Sequence, residues 1–191
     1  MAHGGCAAPH HGRDCGQVRL LFHNKIRMYP MTPRHFNWSE FDSKDAQRQR
    51  IPGSGERMMN RPFVGDLDLV RQLMGQPLTV TSGYRTPAYN RIVSSTGEAG
   101  PHTTGKAADL AAAGQHAFRL VVATVLVKAY RAGVLAEVDL TPATLDRVVQ
   151  ESFQGIGLQQ ASKVPHTGRF VHLDTCTPSE TNGLRPWLWS Y

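Results

Sequence analysis

The stretch "PHTTGKAADL", residues 101–110, places His102 seven positions before Asp109, with Gly105 and Lys106 between them. Three kinds of structure fit such a pattern: a phosphate-binding loop, a metal site, or a turn that leads into an ordinary strand. Each predicts different chemistry, so the choice among them decides how the rest of the chain is interpreted.

The phosphate-loop interpretation fails at the positions that its chemistry needs. Residues 100–107, "GPHTTGKA", nearly match the pattern GxxxxGK[ST], but Ala107 stands where a hydroxyl would hold magnesium. The residues before this stretch do not form a buried strand, and "AADLAAAG" is a poor start for a helix that cradles phosphate. We therefore do not expect a nucleotide here.

A metal site fits the same residues better. If residues 106–110 form a strand, the alternation of side chains puts Ala107 and Asp109 on one face. Gly105 lets the backbone bend, so that His102 in the preceding turn can fold back over Asp109. Imidazole and carboxylate together suit Zn²⁺, but two ligands are too few, so a third must come from elsewhere.

The stretch "GRFVHLDT" offers that third ligand. In a strand, His172 and Asp174 share one face, while Val171 and Leu173 face the other way, into the core. Taken alone, His172 is best interpreted as a core histidine whose hydrogen bond is satisfied by Asp174. Taken with the earlier histidine–aspartate pair, it is a candidate metal ligand.

Composition limits the class of protein. The chain has 191 residues, of which 40% are hydrophobic and 19% charged, as in a globular domain. No apolar run reaches the roughly 20 residues of a membrane helix. The net charge of +6 favours anionic partners, namely nucleic acid, anionic lipid or acidic wall polymers. Basic residues form no block and do not alternate with aromatics, which argues against nucleic acid. Three cysteines without CxxC predict neither a disulfide framework nor a zinc knuckle.

The order of elements predicts an α+β domain. Residues 1–30 form a poorly specified N-terminal extension without the pattern of a secretory signal, and residues 31–191 form a single domain. Helices are expected over residues 66–74, 88–93 and 115–133, and a further helix follows Thr141 as N-cap. Strands are expected in "QPLTVTSGYR", "GKAADLAA", "GIGLQQ" and "GRFVHLDT".

Five motifs follow one another through residues 82–187: "SGYRTPAYN", "HTTGKAADL", "GIG", "FVHLDT" and "RPW". This succession resembles the M15 family of zinc peptidases, the D-alanyl-D-alanine carboxypeptidase and peptidoglycan endopeptidase group, and is most similar to the branch with an FVHxD ending. The resemblance implies a fold shared with the Hedgehog signalling domain, a small antiparallel sheet with helices packed on one side.

The resemblance also implies roles for individual residues. His102, Asp109 and His172 would be the zinc ligands, which leaves the fourth position open for water, as a catalytic zinc requires. Arg85 would support the carbonyl oxygen or carboxylate of the substrate. The alternative for Arg85 is a structural ion pair.

The chain departs from the family at the general base. Many M15 enzymes have a carboxylate three residues before the last ligand, and here that position is Arg169. One substitute is His166, because a histidine with a pKa near 6.5 suits proton transfer. The other is Asp174, unless it only orients His172.

The resemblance implies a zinc-dependent peptidase that cleaves peptide stems or crosslinks of bacterial peptidoglycan. We expect a monomer that binds neither nucleic acid nor membrane. Made in the cytoplasm, it would reach the wall as a holin-released phage lysin or as a virion-associated hydrolase. The alternative is a non-catalytic, zinc-stabilised module that binds the wall or serves a structural role. A basic nucleic-acid-binding protein is a third possibility, which only the net charge supports.

Overall fold

A computed structural model describes residues 32–135, 137–159, 170–183 and 185–190. The N-terminal extension predicted for residues 1–30 lies outside these ranges, as do His166 and Arg169. Within them, no helix is both long and apolar enough to span a membrane.

The fold is α+β, as the sequence predicts. In the described part of the chain the helices are α1 (Ser54–Met58), α2 (Arg61–Met74), α3 (Pro87–Val93), α4 (Gly114–Arg131) and α5 (Pro142–Glu151). The strands are β1 (Val80–Ser82), β2 (Asp109–Leu110), β3 (Gly155–Gln159), β4 (Phe170–Asp174) and β5 (Trp187–Ser190). Short 3-10 helices span Trp38–Phe41, Pro101–Thr104 and Pro178–Thr181.

The strands form two small sheets. β1 and β2 pair antiparallel, and a second sheet has the order β4–β3–β5. β3 is antiparallel to β4, as expected, but it runs parallel to β5. β5 was not predicted, because "WLWS" is only four residues long and lacks the alternation of apolar and polar residues that marks a half-buried strand.

Three helices build the core. α2 packs against α4 and α5, and the side chains of Leu73, Phe118, Val127 and Leu145 are completely or almost completely buried. α4 in turn packs against β5, which attaches the three-stranded sheet to the helices. The buried faces of α2 and α5 carry their apolar residues at helical spacing, as expected for amphipathic helices, whereas α4 also exposes apolar side chains, among them Val121 and Val125.

Local signals explain where the helices begin and end. α2 starts after Asn60, whose side chain accepts a hydrogen bond from the Phe63 amide, and it ends at Gly75 in the left-handed conformation. The helix predicted from residue 66 therefore begins five residues earlier, at Arg61. α5 begins as predicted, with the Thr141 side chain accepting from the amide of Thr144.

Two strand predictions need correction. The strand expected over residues 106–110 is limited to Asp109 and Leu110, because its partner β1 is itself only three residues long. Val171 and Leu173 do not face the core: 54% and 50% of their surfaces are exposed. β4 is the edge strand farthest from β5, on which α4 packs, so the helices leave this part of the sheet uncovered.

Candidate metal centre

The turn that carries His102 is fixed by close backbone packing. The 3-10 helix Pro101–Thr104 ends at Gly105, which has a positive φ of 69°. A Cβ atom at Gly105 would collide with the Met58 carbonyl oxygen, and the Gly105 carbonyl accepts a hydrogen bond from the Asn60 amide at 2.9 Å. The turn therefore lies directly on the junction between α1 and α2, which sets the position of His102.

One hydrogen bond determines which nitrogen of His102 can bind a ligand. Nδ1 lies 2.7 Å from the carbonyl oxygen of Gly83. Because a carbonyl oxygen only accepts, Nδ1 must carry a proton and donate it. In the neutral ring Nε2 is then unprotonated, with its lone pair available for a metal ion.

Asp109 faces that nitrogen. It lies at the start of β2, opposite Ser82 of β1. Its Oδ1 atom is 3.3 Å from His102 Nε2, and the Asp109 side chain is 52% exposed, whereas that of His102 is 13% exposed. A lone pair and a carboxylate oxygen at this distance repel unless a proton or a cation lies between them. The contact fits an ion pair that shares a proton, and it equally fits two ligands of a cation at a site open to solvent.

Arg85 completes this cluster. Its Nη2 atom donates to Asp109 Oδ2 at 2.8 Å, and its Nε atom donates to Ser82 Oγ at 2.8 Å. Its backbone amide donates to the His102 carbonyl at 3.2 Å. The ion pair that the sequence analysis raised as an alternative for Arg85 is therefore present, and its partner is the predicted metal ligand.

The loop that holds Arg85 is attached to the segment after the first 3-10 helix. The Tyr84 amide donates to the Phe41 carbonyl at 3.0 Å, and the Thr86 amide donates to Oγ of the buried Ser43 at 2.8 Å. A Cβ atom at Gly83 would lie 2.5 Å from the Cα atom of Phe41. This contact explains why glycine stands next to Tyr84 in the "SGYR" motif.

His172 lies on the other sheet. Its Nε2 atom is 3.0 Å from Asp174 Oδ2, and its ring centroid is 5.2 Å from that of Trp189. Among the described residues, no three histidine, cysteine, aspartate or glutamate side chains come close enough together to hold a metal ion. The structure therefore brings together His102 and Asp109, but it does not add His172 to them.

Asp174 is held as a carboxylate. Arg185 donates from Nε to Oδ1 at 2.9 Å and from Nη2 to Oδ2 at 2.6 Å. This bidentate contact holds the pKa of Asp174 well below its usual range, the hydrogen bond with His172 adds to the effect, and burial opposes it. Such a carboxylate has little tendency to take up a proton near neutral pH, and its contacts are those of a residue that orients His172.

Two residues of this second cluster, Arg185 and Trp189, were not predicted as site residues. Arg185 belongs to the quoted motif "RPW" but received no role, and Trp189 was not singled out at all. Sequence spacing alone gives no sign that a residue eleven positions after Asp174 pairs with it. An arginine in a motif that accompanies an HxD strand was the only available signal.

Comparison with known proteins gives one match. Residues 46–139 match the family model for Peptidase M15. That range contains Arg85, His102 and Asp109 but ends before β4. No curated protein and no solved structure shows significant similarity to the chain. The cluster of Arg85, His102 and Asp109 thus lies within the matched segment, and the match over residues 46–139 supports membership of the peptidase M15 family.

Proposed function

We propose that this M15 peptidase is zinc-dependent and cleaves peptide stems or crosslinks of bacterial peptidoglycan. The observation that carries the proposal is the approach of His102 Nε2 to Asp109 Oδ1 at 3.3 Å, with His102 Nδ1 bound to the Gly83 carbonyl. Members of the family are generally zinc-dependent.

The two atoms are spaced as zinc ligands would be. Bonds of about 2.0–2.2 Å at a tetrahedral zinc place two ligand atoms roughly 3.3–3.5 Å apart. A direct N–H···O hydrogen bond is usually shorter, about 2.9–3.0 Å. The remaining oxygen of Asp109 accepts from Arg85, which is the kind of contact that orients a ligating carboxylate. His102 and Asp109 therefore fit zinc, and the resemblance supplies His172 as the third ligand.

When bound, zinc supplies Lewis acidity that polarises a scissile carbonyl and lowers the pKa of water. The chain's own residues prepare the site for this chemistry. Gly83 holds His102 in one tautomer, and the hydrogen bond from Arg85 fixes the direction of the Asp109 carboxylate beside His102. The guanidinium of Arg85 lies beside the exposed carboxylate, and in this proposal its charge also supports the carbonyl oxygen or carboxylate of the substrate.

Proton transfer is assigned to His166, and Asp174 to the orientation of His172. The ion pair of Asp174 with Arg185 supports this division, because it leaves Asp174 a poor base. His166→Ala should then retain zinc and lose activity by about 10²–10⁴-fold, the usual contribution of a positioned base. A fully active His166→Ala variant would move the role elsewhere.

The proposal is tested first by metal content. The wild-type protein should bind about one zinc per chain, and His102→Ala and His172→Ala should lose most of it. His116→Ala is the control, because His116 contacts Gln76 on the exposed side of α4 and belongs to neither cluster. Zinc content that is unchanged in both site variants would end the proposal.

Muropeptide analysis then separates an enzyme from a binding module. Purified walls incubated with protein and zinc should release new amino or carboxyl termini, a chelator should stop the release, and added zinc should restore it. Sedimentation with walls of several chemistries but without new termini would favour the wall-binding alternative. A phage-type role, with delivery by a holin or a virion, belongs to the same proposal. It predicts that host cells lyse when the protein reaches their walls.

A further inference from the structure

We propose that Arg185 is a positioning residue for His172 that acts through Asp174. Two glycines of β3 leave the space in which these side chains pack. This inference rests on the proposed function, because it concerns the ligand that the resemblance assigns to zinc. It adds a role for the motifs "GIG" and "RPW", which are not part of the cluster at His102.

The first support is the geometry of the contact. Arg185 donates hydrogen bonds to both oxygens of Asp174, at 2.9 and 2.6 Å. Both side chains are largely buried, with 13% of the Arg185 side chain and 12% of the Asp174 side chain exposed. A fork of this kind fixes the rotation of the carboxylate as well as its position. Asp174 Oδ2 is therefore presented in one direction, toward His172 Nε2 at 3.0 Å.

The second support is the space that two glycines of β3 leave beside the cluster. A Cβ atom at Gly155 would collide with Asp174 Oδ2 and lie 2.7 Å from Arg185 Nε. A Cβ atom at Gly157 would lie 2.5–2.7 Å from three atoms of the Trp189 ring. Because Gly157 is the register partner of both His172 and Trp189, the missing side chain lets these two rings approach across β3.

The third support is Trp189 itself. Its ring lies 5.2 Å from the His172 ring and 5.2 Å from the Arg185 guanidinium carbon. The indole therefore lies against both Arg185 and His172, the two side chains that Asp174 connects. Packing of this kind restricts the rotamers of both side chains, which a hydrogen bond alone does not achieve.

The cluster is also attached to the chain that follows Asp109. The Arg185 carbonyl accepts a hydrogen bond from Gln115 Nε2 at 3.2 Å. Gly114, where α4 begins, has a positive φ of 53°, and a Cβ atom there would lie 2.5 Å from the Trp187 ring. Arg185 thus links the strand that carries His172 to the segment just after β2.

A specific state of His172 follows from these contacts. An ionised Asp174 only accepts, so Nε2 of His172 must carry the proton and donate it. Nδ1 is then the nitrogen with a free lone pair. Without Arg185 the carboxylate keeps the Cys176 amide, which donates to Oδ1 at 3.0 Å, but this single contact lets Oδ2 turn away, so that the imidazole loses its fixed tautomer and its fixed orientation. Loss of such a supporting contact typically weakens metal binding by about 10–100-fold.

The test compares Arg185→Gln with Arg91→Gln, since Arg91 forms an exposed ion pair with Glu98 away from both clusters. Zinc affinity is measured by chelator competition, and the tautomer of His172 is read from its ¹⁵N chemical shifts in the metal-free protein. We expect wild type and Arg91→Gln to show a single Nε2-protonated His172 and equal zinc affinity. Arg185→Gln should show mixed tautomers and a 10–100-fold loss of zinc affinity.

Arg185→Gln with the wild-type tautomer and zinc affinity would overturn the inference, as would a wild-type His172 protonated on Nδ1. If Arg185→Gln does not fold, Asp174→Asn takes its place, because it nearly preserves the shape and should give the same two changes. A wild-type protein that binds no zinc would instead overturn the proposed function, and the tautomer comparison would still decide the role of Arg185.

Discussion

At the scale of single residues, Gly105 is the position where the candidate site depends most on the absence of a side chain. Gly105→Ala should destabilise the protein by about 3 kcal/mol or more, because it combines a left-handed backbone with a collision against the Met58 carbonyl. Gly97→Ala is the matched control: its φ is 66°, but nothing lies within 4 Å, so it should cost only about 1 kcal/mol. Urea denaturation measures both, and equal losses would contradict the packing described here.

The ion pair of Asp174 predicts a pH dependence. The folded state lowers the pKa of this carboxyl below its unfolded value of about 3.9, so the stability that it contributes is complete above about pH 5. That contribution is lost as the pH falls below about 4. The difference in unfolding free energy between wild type and Asp174→Asn, without metal, should therefore be largest near neutral pH and shrink toward pH 3. A difference that stays constant over this range would show that the ion pair does not stabilise the fold.

At the scale of elements, the start of α2 connects helix stability to the site. The Asn60 side chain caps the helix, and its backbone amide donates to the Gly105 carbonyl. Asn60→Ala should therefore cost about 1 kcal/mol, whereas Asn60→Asp keeps an acceptor for the Phe63 amide and should stay near wild type. Thermal unfolding of the two variants checks this, and a similar loss in both would mean that the cap is not the cause.

The helices were more predictable from sequence than the strands. α4, α5 and the end of α2 follow from apolar spacing, a capping threonine and a terminal glycine, all of which act within one or two turns. The strands are two to five residues long, and their pairing depends on residues far apart in the chain. The exposure of Val171 and Leu173 shows the limit clearly. Alternation tells which residues share a face, but it does not tell whether another element covers that face.

The candidate site was predictable in parts. The contact of His102 with Asp109 follows from a glycine turn before a strand, and the contact of His172 with Asp174 follows from their spacing of two. The roles of Ser43 and Arg185 could not be foreseen, because they depend on how separate segments pack in three dimensions. The same holds for the carbonyl of Gly83, since every residue has a carbonyl and sequence does not single one out.

At the scale of the whole molecule, we expect wall binding to depend on the net charge and cleavage to be largely independent of it. The net charge of +6 favours adsorption to an anionic wall, and salt screens such attraction over about 10 Å at 0.1 M. Raising the salt concentration from about 0.05 to 0.5 M should release the protein from walls, while cleavage of a soluble muropeptide should change little. Co-sedimentation and product analysis measure the two effects. Adsorption that ignores salt would show that charge does not drive wall binding.

Because Arg185 and β5 follow β2 in the chain, the cluster at His172 is completed after the cluster at His102 during synthesis. A ribosome adds about 5–20 residues per second, so Arg185 is joined roughly 4–15 s after Asp109. Until Arg185 and Trp189 have been added, the bidentate contact on Asp174 and the indole beside His172 cannot form. A chain that ends before Arg185 therefore lacks the support for its last predicted ligand, His172. If the proposed function holds, such a fragment should bind zinc more weakly than the whole chain.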